Sequence, residues 1–265
     1  MNAAFGFVKK YKVFILGILI WLVPVLVGTL MYLWYEPAQT QDTSEISVSV
    51  QETSYMENPE KAKDYVKPVT VCLTASAQDE IWRGSAVIWD QTQEELIIAT
   101  SAHLLEYANE QLTVSFDADT AAEAAVVGVS DNHDVGFVSC KKELLDDAFL
   151  EQLRYVRLHQ RTFDTLLSGD ECFTVGCSIE GVADVMQTLT LVQLSYSEDE
   201  IGENLFLLEG ACEAGMSGSG LYDGYGNFIG MLIASDETDT LALTMEQVNE
   251  AYREVTGNVR STEDY

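Results

Sequence analysis

The sequence predicts an all-β domain that ends in a helix and follows one N-terminal transmembrane helix. Three observations carry this prediction. Short runs rich in β-branched and other apolar residues recur between residues 65 and 243, and turn-forming residues separate most of them. An apolar run without any charge covers residues 13–35. After Thr244, apolar residues recur at helical spacing.

The first 35 residues have the pattern of a membrane anchor. Residues 1–12 form a short basic leader, and the apolar run at 13–35 is long enough to span roughly 30 Å of hydrocarbon. Lysines precede the run, and Trp34 and Tyr35 close it, so the positive-inside rule places the N-terminus in the cytoplasm. A cleaved signal peptide is the alternative, but residues 32–37 offer no small-x-small cleavage site, which favours an uncleaved anchor.

The charge distribution excludes some partners. Residues 36–64 are polar and acidic without a clear period, and they are predicted to be a flexible linker. Of the 14 basic residues, three lie in residues 1–35, where there is no acid, so the remainder has 11 basic against 43 acidic residues. Such a domain repels nucleic acid and anionic lipid and attracts basic peptides or cations.

The β-like runs fall into two groups on either side of a connector at residues 141–160. The first group has about six runs, at residues 69–73, 84–89, 96–100, 112–116, 123–129 and 134–140. The second group follows an entry segment at 166–176 and comprises residues 187–197, 205–209, 220–222, 228–235 and 240–243. Thr244 and Gln247 have the spacing of a capping box, which predicts that a helix begins there.

The stretch Glu213–Tyr222 places a serine, Ser217, between glycines and before an apolar run. Glycines let the backbone bend sharply and aim N–H groups at one point, as acyl-transfer chemistry requires. The pattern Gly-x-Ser-x-Gly also fits the nucleophile elbow of α/β-hydrolases, which needs a following helix and a later histidine. Here the next residues are β-like, and no histidine follows Ser217, so that interpretation fails.

The possible partners of the serine lie upstream. His103 follows an apolar strand in Thr100-Ser101-Ala102-His103, and Asp134 opens another strand in Asp134-Val135-Gly136-Phe137-Val138. The order His, Asp, Ser is that of the chymotrypsin-type triad. In these three blocks the sequence resembles the trypsin-like (chymotrypsin-fold) serine peptidases, and it is most similar to the short bacterial branch that includes the HtrA/Deg type. The resemblance covers roughly residues 66–255.

The resemblance implies two six-stranded antiparallel β-barrels, at about residues 65–145 and 165–243, within a peptidase domain at 65–256. A C-terminal helix at 244–256 and a polar tail at 257–265 would follow, and no PDZ-like segment is visible. The resemblance therefore implies a serine endopeptidase that acts on protein or peptide substrates. The predicted orientation of the apolar run places this domain on the outer side of the membrane.

The resemblance also assigns roles. Ser217 would be the nucleophile, His103 the base and Asp134 the acid that orients the ring. Gly215 and Ser217 would supply the oxyanion-hole N–H groups. Ala211 falls at the base of the pocket for the residue before the cut, which argues against a strict Arg or Lys preference.

Other readings remain open. Asp131 is an alternative acid, and His133 is expected to be a structural or surface residue. His159 lies in the polar connector and carries no functional signal. Met216 and Ser219 depart from the family pattern, so a weakly active binding or sensor module with the same fold is the second hypothesis, and an esterase is the third.

The sequence predicts no cofactor and no metal, because His and Cys residues are not clustered at ligand spacing. Five cysteines leave at least one thiol without an intrachain partner. Cys172 and Cys177 lie close enough in sequence to approach each other, but the sequence does not decide whether they are bonded.

Overall fold

A computed structural model describes residues 59–77, 80–108, 111–181, 183–198 and 201–262. No helix within these ranges is long and apolar enough to cross a membrane. The predicted leader, the predicted transmembrane run and the linker as far as residue 58 lie outside the described residues.

Barrel one is a closed barrel of six antiparallel strands in the order β1-β2-β3-β6-β5-β4. Its interior is filled by the inward-facing aliphatic side chains of these strands, among them Leu73, Ile88 and Ile98, which are fully buried. The strands are β1 (Thr70–Ala77), β2 (Glu80–Gln91), β3 (Glu95–Thr100), β4 (Gln111–Ser115), β5 (Ala121–Val129) and β6 (Gly136–Lys141).

Barrel two repeats the arrangement with six further antiparallel strands, in the order β10-β11-β12-β9-β8-β7. The strands are β7 (Glu171–Gly176), β8 (Val185–Glu198), β9 (Gly202–Glu209), β10 (Gly220–Asp223), β11 (Phe228–Ser235) and β12 (Asp239–Thr244). A tight turn joins β10 to β11, where the Asp223 carboxylate accepts hydrogen bonds from the N–H groups of Tyr225 and Asn227. The two predicted six-stranded barrels are thus confirmed.

Helices occupy the ends and connections. They are α1 (Pro59–Val66), α2 (Ala102–Leu105), α3 (Asp147–Leu150), α4 (Gln160–Asp164) and α5 (Met245–Thr256), with short 3-10 turns at Lys67–Val69 and Lys142–Leu144. The predicted capping box is confirmed: the Thr244 hydroxyl accepts from the Gln247 N–H, and the Gln247 side chain accepts from the Thr244 N–H. Residues 59–64, which the sequence assigns to the linker, instead belong to α1, because Ala62 and Val66 are buried there.

The two barrels share an apolar core. Trp89 at the end of β2 is fully buried and stands edge-on to Phe228 of barrel two, with ring centroids 5.5 Å apart. Tyr252 of α5 also packs on Trp89, at 6.1 Å. Burying aromatic side chains between the barrels fixes the position of one barrel relative to the other.

A disulfide also joins the two barrels. Cys72 of β1 is bonded to Cys177, which directly follows β7. The pairing of Cys172 with Cys177 that the sequence left open therefore does not form. Cys140, Cys172 and Cys212 are free thiols, and burial raises the pKa of Cys140 to about 11 and of Cys172 to about 12. Such thiols are inert at neutral pH, so we assign these two to packing.

Candidate active site

His103 and Asp134 are in direct contact. His103 lies in α2, the short helix that begins directly after β3, and Asp134 lies in the turn that leads into β6. The ring Nδ1 of His103 lies 2.7 Å from Asp134 Oδ2, and the backbone N–H of His103 donates to Asp134 Oδ1 at 2.9 Å. One carboxylate thus holds both the ring and the backbone of the histidine, which directs the Nδ1 proton to Asp134 and leaves Nε2 as the free acceptor.

This contact also sets the charge of the ring. The hydrogen bond that His103 donates to Asp134 raises the pKa of His103 above its ordinary value of 6.5, and burial opposes that rise. The carboxylates of Asp134 and Glu106 add a smaller electrostatic contribution that raises the pKa as well. The pair therefore favours the imidazolium, the form that a general base takes in the middle of a reaction.

The peptide group before Gly215 is fixed by its carbonyl. The N–H of Ile179 donates to the carbonyl oxygen of Ala214 at 2.7 Å. Because the C=O and N–H of a trans peptide point in opposite directions, the N–H of Gly215 points away from Ile179. Gly215 has φ +97°, and a Cβ there would lie 2.4 Å from the nitrogen of Ile179, so only glycine allows this conformation.

The peptide group before Ser217 is fixed in the same way, since the N–H of Ser219 donates to the carbonyl of Met216 at 3.0 Å. The N–H of Met216 itself donates to the carbonyl of Glu213 at 3.2 Å. Among the described residues, the N–H groups of Gly215 and Ser217 have no acceptor. Backbone donors in a folded protein are normally paired, so two unpaired N–H groups on either side of a paired one form a ready site for an anionic oxygen.

Ser85 of barrel one forms hydrogen bonds to the loop that carries Ser217. Its hydroxyl donates to the carbonyl of Gly215 at 2.8 Å, and its N–H donates to the carbonyl of Ser217 at 3.0 Å. The same hydroxyl accepts from the N–H of Cys177 at 2.8 Å, and Ser85 is fully buried. One serine of barrel one therefore fixes the carbonyl groups of Gly215 and Ser217, the same two residues whose N–H groups are unpaired.

The loop that carries Ser217, called the serine loop below, also lies close to Ser101, two residues before His103. A Cβ at Gly218 would lie 3.1 Å from the nitrogen of Ser101, two residues before the histidine. The Ser217 hydroxyl is half-buried and donates to the carbonyl of Ile233 at 3.3 Å. Among the described residues, no hydrogen bond joins the Ser217 hydroxyl to the His103 ring. Of the three predicted side chains, His103 and Asp134 are therefore in contact, while Ser217 is turned toward β11.

The other candidates lie elsewhere. Asp131 uses its backbone N–H to bind Glu254, and the Nε2 of His133 lies 3.6 Å from a Glu250 carboxylate oxygen. His159 is the N-cap of α4, where its Nδ1 accepts from the N–H of Thr162. Ala211 is exposed between β9 and β10. The described residues contain no group of three or more His, Cys, Asp or Glu side chains arranged to hold a metal.

The two departures from the family pattern have local explanations. Met216 is buried, with 1% of its surface exposed, so it serves as an apolar anchor of the loop. The hydroxyl of Ser219 lies 2.7 Å from that of Thr174 in β7, and both residues are fully buried. Ser219 is thus satisfied without disturbing the backbone around Ser217.

Sequence reasoning missed the roles of Ser85 and Ile179. The block Gly84-Ser85-Ala86 resembles a strand of the family, but nothing in the sequence shows that the hydroxyl meets a loop 130 residues later. Ile179 contributes through its backbone, which leaves no sequence signal.

Residues 84–231 match the family of the trypsin-like peptidase domain. No curated protein matches the sequence. Among solved structures, the fold is similar to the HtrA-type protease AlgW with a tripeptide, with a TM-score of 0.63 and 21% identity over 75% of this chain and 63% of that one. The chain thus spans less than two thirds of the length of AlgW.

A second similar structure is that of Rv3671c from M. tuberculosis H37Rv. Its active form gives a TM-score of 0.57 and 17% identity, over 76% of this chain and 86% of that one. An inactive form of the same protease gives 0.59 and 16%, over 76% and 92%. At this level of identity the structural matches establish the fold.

Gly218→Ala tests the close approach of the serine loop to barrel one. A Cβ there would lie 2.1 Å from the Ser85 carbonyl oxygen, so we expect the free energy of unfolding to fall by more than about 3 kcal/mol. Gly169→Ala is the matched control, because Gly169 has a similar φ (+98° against +88°) but nothing within 4 Å of its Cβ position. It should cost only about 1–2 kcal/mol of backbone strain. Equal losses in urea denaturation would contradict the packing described here.

Proposed function

Because the chain belongs to the family of trypsin-like peptidase domains, which are serine endopeptidases, we propose that it hydrolyses peptide bonds through Ser217, His103 and Asp134 as a membrane-anchored extracytoplasmic enzyme. The observation that carries the proposal is the combination of the His–Asp contact with two unpaired N–H groups beside a serine hydroxyl. A binding module with the same fold would need neither.

In the proposed mechanism, His103 Nε2 takes the proton of the Ser217 hydroxyl while the oxygen attacks the scissile carbonyl. Asp134 keeps the ring in the required tautomer and stabilises the imidazolium. The N–H groups of Gly215 and Ser217 bind the oxyanion of the tetrahedral intermediate. Each such donor contributes roughly 2.7–4 kcal/mol when it is correctly aimed. His103 then protonates the leaving amine, and water hydrolyses the acyl-enzyme by the same steps in reverse.

The orientation of the serine requires one movement. The bond from the Ser217 hydroxyl to Ile233 is long, at 3.3 Å, and a rotation about χ1 would release it toward the histidine. Catalytic hydrogen bonds are often loose before substrate binds and tighten in the complex. Bound peptide would therefore complete the triad.

Two observations support a location outside the cytoplasm. Lysines precede the apolar run at residues 13–35, which favours a cytoplasmic N-terminus. The Cys72–Cys177 disulfide is of the kind that persists in oxidising compartments. The enzyme would thus meet its protein or peptide substrates on the extracytoplasmic side of the membrane. The overall negative charge of the chain makes nucleic acid an unsuitable partner.

The second candidate is a weakly active binding or sensor module in the cell envelope. One observation favours it: the Ser217 hydroxyl is bonded to Ile233 rather than to His103. If this orientation persisted with ligand bound, the hydroxyl would remain unactivated. An esterase on the same site is distinguished by comparing matched ester and peptide substrates.

A fluorophosphonate probe tests the proposed triad. We expect labelling of the wild-type domain, none in Ser217→Ala, and a strong reduction in His103→Ala, because the serine needs its base. Asp134→Asn should lower kcat by about 10⁴. His133→Ala is the matched control and should label normally. A folded wild-type domain that is never labelled would favour the binding module instead.

Reporter fusions test the topology. A reporter that is active only outside the cytoplasm, fused after Tyr65, should be active, and a cytoplasm-active reporter at the same point should be silent. Fusions that start at residue 36 provide the control, because they lack the apolar run and should reverse both results. Substituting Lys9, Lys10 and Lys12 by Glu should weaken or invert the orientation. Cytoplasmic activity of the unmodified fusion would contradict the proposed location.

A further inference from the structure

The loop that carries Asp134 is held by the C-terminal helix. Glu254 of α5 accepts hydrogen bonds from three different groups of this loop. Its Oε2 accepts from the Ser130 hydroxyl at 2.5 Å and from the Asn132 side-chain amide at 3.3 Å, and its Oε1 accepts from the N–H of Asp131 at 2.9 Å. A single carboxylate thus fixes the three successive residues that lead to the turn of Asp134.

Ser130 transmits this anchorage within the loop. Its hydroxyl oxygen accepts from the N–H groups of Asn132 at 3.1 Å and of His133 at 3.2 Å. The N–H of Ser130 donates to the carbonyl of Val135 at 2.9 Å, which closes the loop at the strand. Glu254 therefore lies at one end of a continuous set of hydrogen bonds that surrounds Asp134 on both sides in sequence.

The apolar side of α5 supports the neighbouring strands. The ring of Tyr252 lies 5.3 Å from that of Phe137 in β6, three residues after Asp134, and its hydroxyl donates to Asp90 at 2.8 Å. Val255 packs so closely on Gly128 of β5 that a Cβ at the glycine would lie 2.8 Å from it. The helix thus contacts the Asp134 loop, the strand before it and the strand after it.

Glu254 is an exposed residue, and an exposed carboxylate usually contributes little to stability. Its surroundings are nevertheless specific. The hydrogen bond from Ser130, followed by that from Asp131, lowers the pKa of Glu254, which keeps the carboxylate ionised and acceptor-only at neutral pH. The groups that donate hydrogen bonds to Glu254 all come from one loop. We therefore expect Glu254 to affect the geometry of that loop more than the stability of the domain.

We propose that Glu254 is a positioning residue for the reaction: it fixes the 130–134 loop so that the Asp134 carboxylate meets both the ring and the backbone of His103. This rests on the proposed function, because the positioning matters only if His103 is a base. It also gives the C-terminal helix a role, since an element that follows barrel two then orients the acid supplied by barrel one.

The test compares Glu254→Ala and Glu254→Gln with the control Glu246→Ala. Glu246 lies on the same helix and accepts a hydrogen bond from Gln160, and within the part of the chain that the structure describes it forms no hydrogen bond to the 130–134 loop. We expect Glu254→Ala to lower kcat by about tenfold to hundredfold with KM little changed, because a displaced acid misorients the base. Glu254→Gln should lower kcat by a smaller factor than Glu254→Ala. The glutamine keeps one acceptor oxygen, but its NH2 group would face a hydrogen-bond donor of the loop. Glu246→Ala should match wild type.

The pH profile separates positioning from a loss of folded protein. His103 is faced by the carboxylates of Asp134 and Glu106, and its pKa is raised mainly by the hydrogen bond to Asp134. If Glu254→Ala loosens that bond, the pKa of His103 falls toward its ordinary value, and the acidic limb of kcat/KM moves to lower pH. A purely structural role would reduce the active fraction and leave the limb in place.

Four outcomes decide the matter. A lower kcat with a shifted limb supports the proposal, and so does a defect in Ser130→Ala that is not additive with Glu254→Ala. Wild-type kinetics in Glu254→Ala overturn it, as does a loss with an unmoved limb. If the wild-type domain cleaves no peptide, the proposed function fails. NMR titration of the His103 ring in wild type and Glu254→Ala then still shows whether Glu254 positions the pair.

Discussion

The site depends on which backbone groups in the loop around Ser217 are hydrogen-bonded and which are left unpaired. The carbonyl of Ala214 is bound by the N–H of Ile179, and the carbonyl of Met216 is bound by the N–H of Ser219. Ser85 of barrel one binds the neighbouring carbonyls of Gly215 and Ser217. Because a peptide plane is rigid, fixing a carbonyl fixes the N–H on its other side. The N–H groups of Gly215 and Ser217 are therefore kept in place before any substrate arrives, and no reorganisation is needed when negative charge develops there.

These constraints cross between the barrels, so the site exists only when both are docked. Ser85 of barrel one holds a loop of barrel two, and Glu254 of α5 holds a loop of barrel one. The Cys72–Cys177 disulfide adds a covalent link close to the first of these contacts, since Cys177 also donates its N–H to Ser85. The loop that carries Ser217 and the loop before Asp134 are thus each held by an element outside their own barrel, namely β2 of barrel one in the first case and α5 in the second.

Much of the fold and part of the site could be predicted from the sequence. Alternating apolar runs and turn residues identify strands because their period is local, and Thr244 and Gln247 identify the start of α5 for the same reason. The contact of His103 with Asp134 followed from the order of three motifs. The supporting hydrogen bonds could not be predicted, because Ser85 and Glu254 act through partners 92 or more residues away in the sequence, and Ile179 acts through its backbone. Residues 59–64 were misassigned because a short, mostly polar helix resembles a linker until its buried face is known.

The central claim is that Ser217, His103 and the two N–H groups converge on one reacting carbonyl. The most direct measurement is a crystal structure of the peptidase domain with a peptide boronic acid, which mimics the tetrahedral intermediate. We predict a bond from boron to the Ser217 oxygen, one boronate oxygen within hydrogen-bond distance of the N–H groups of Gly215 and Ser217, and the His103 ring turned to another. A boronate bound without that bond, while the serine still donates to Ile233, would contradict the account.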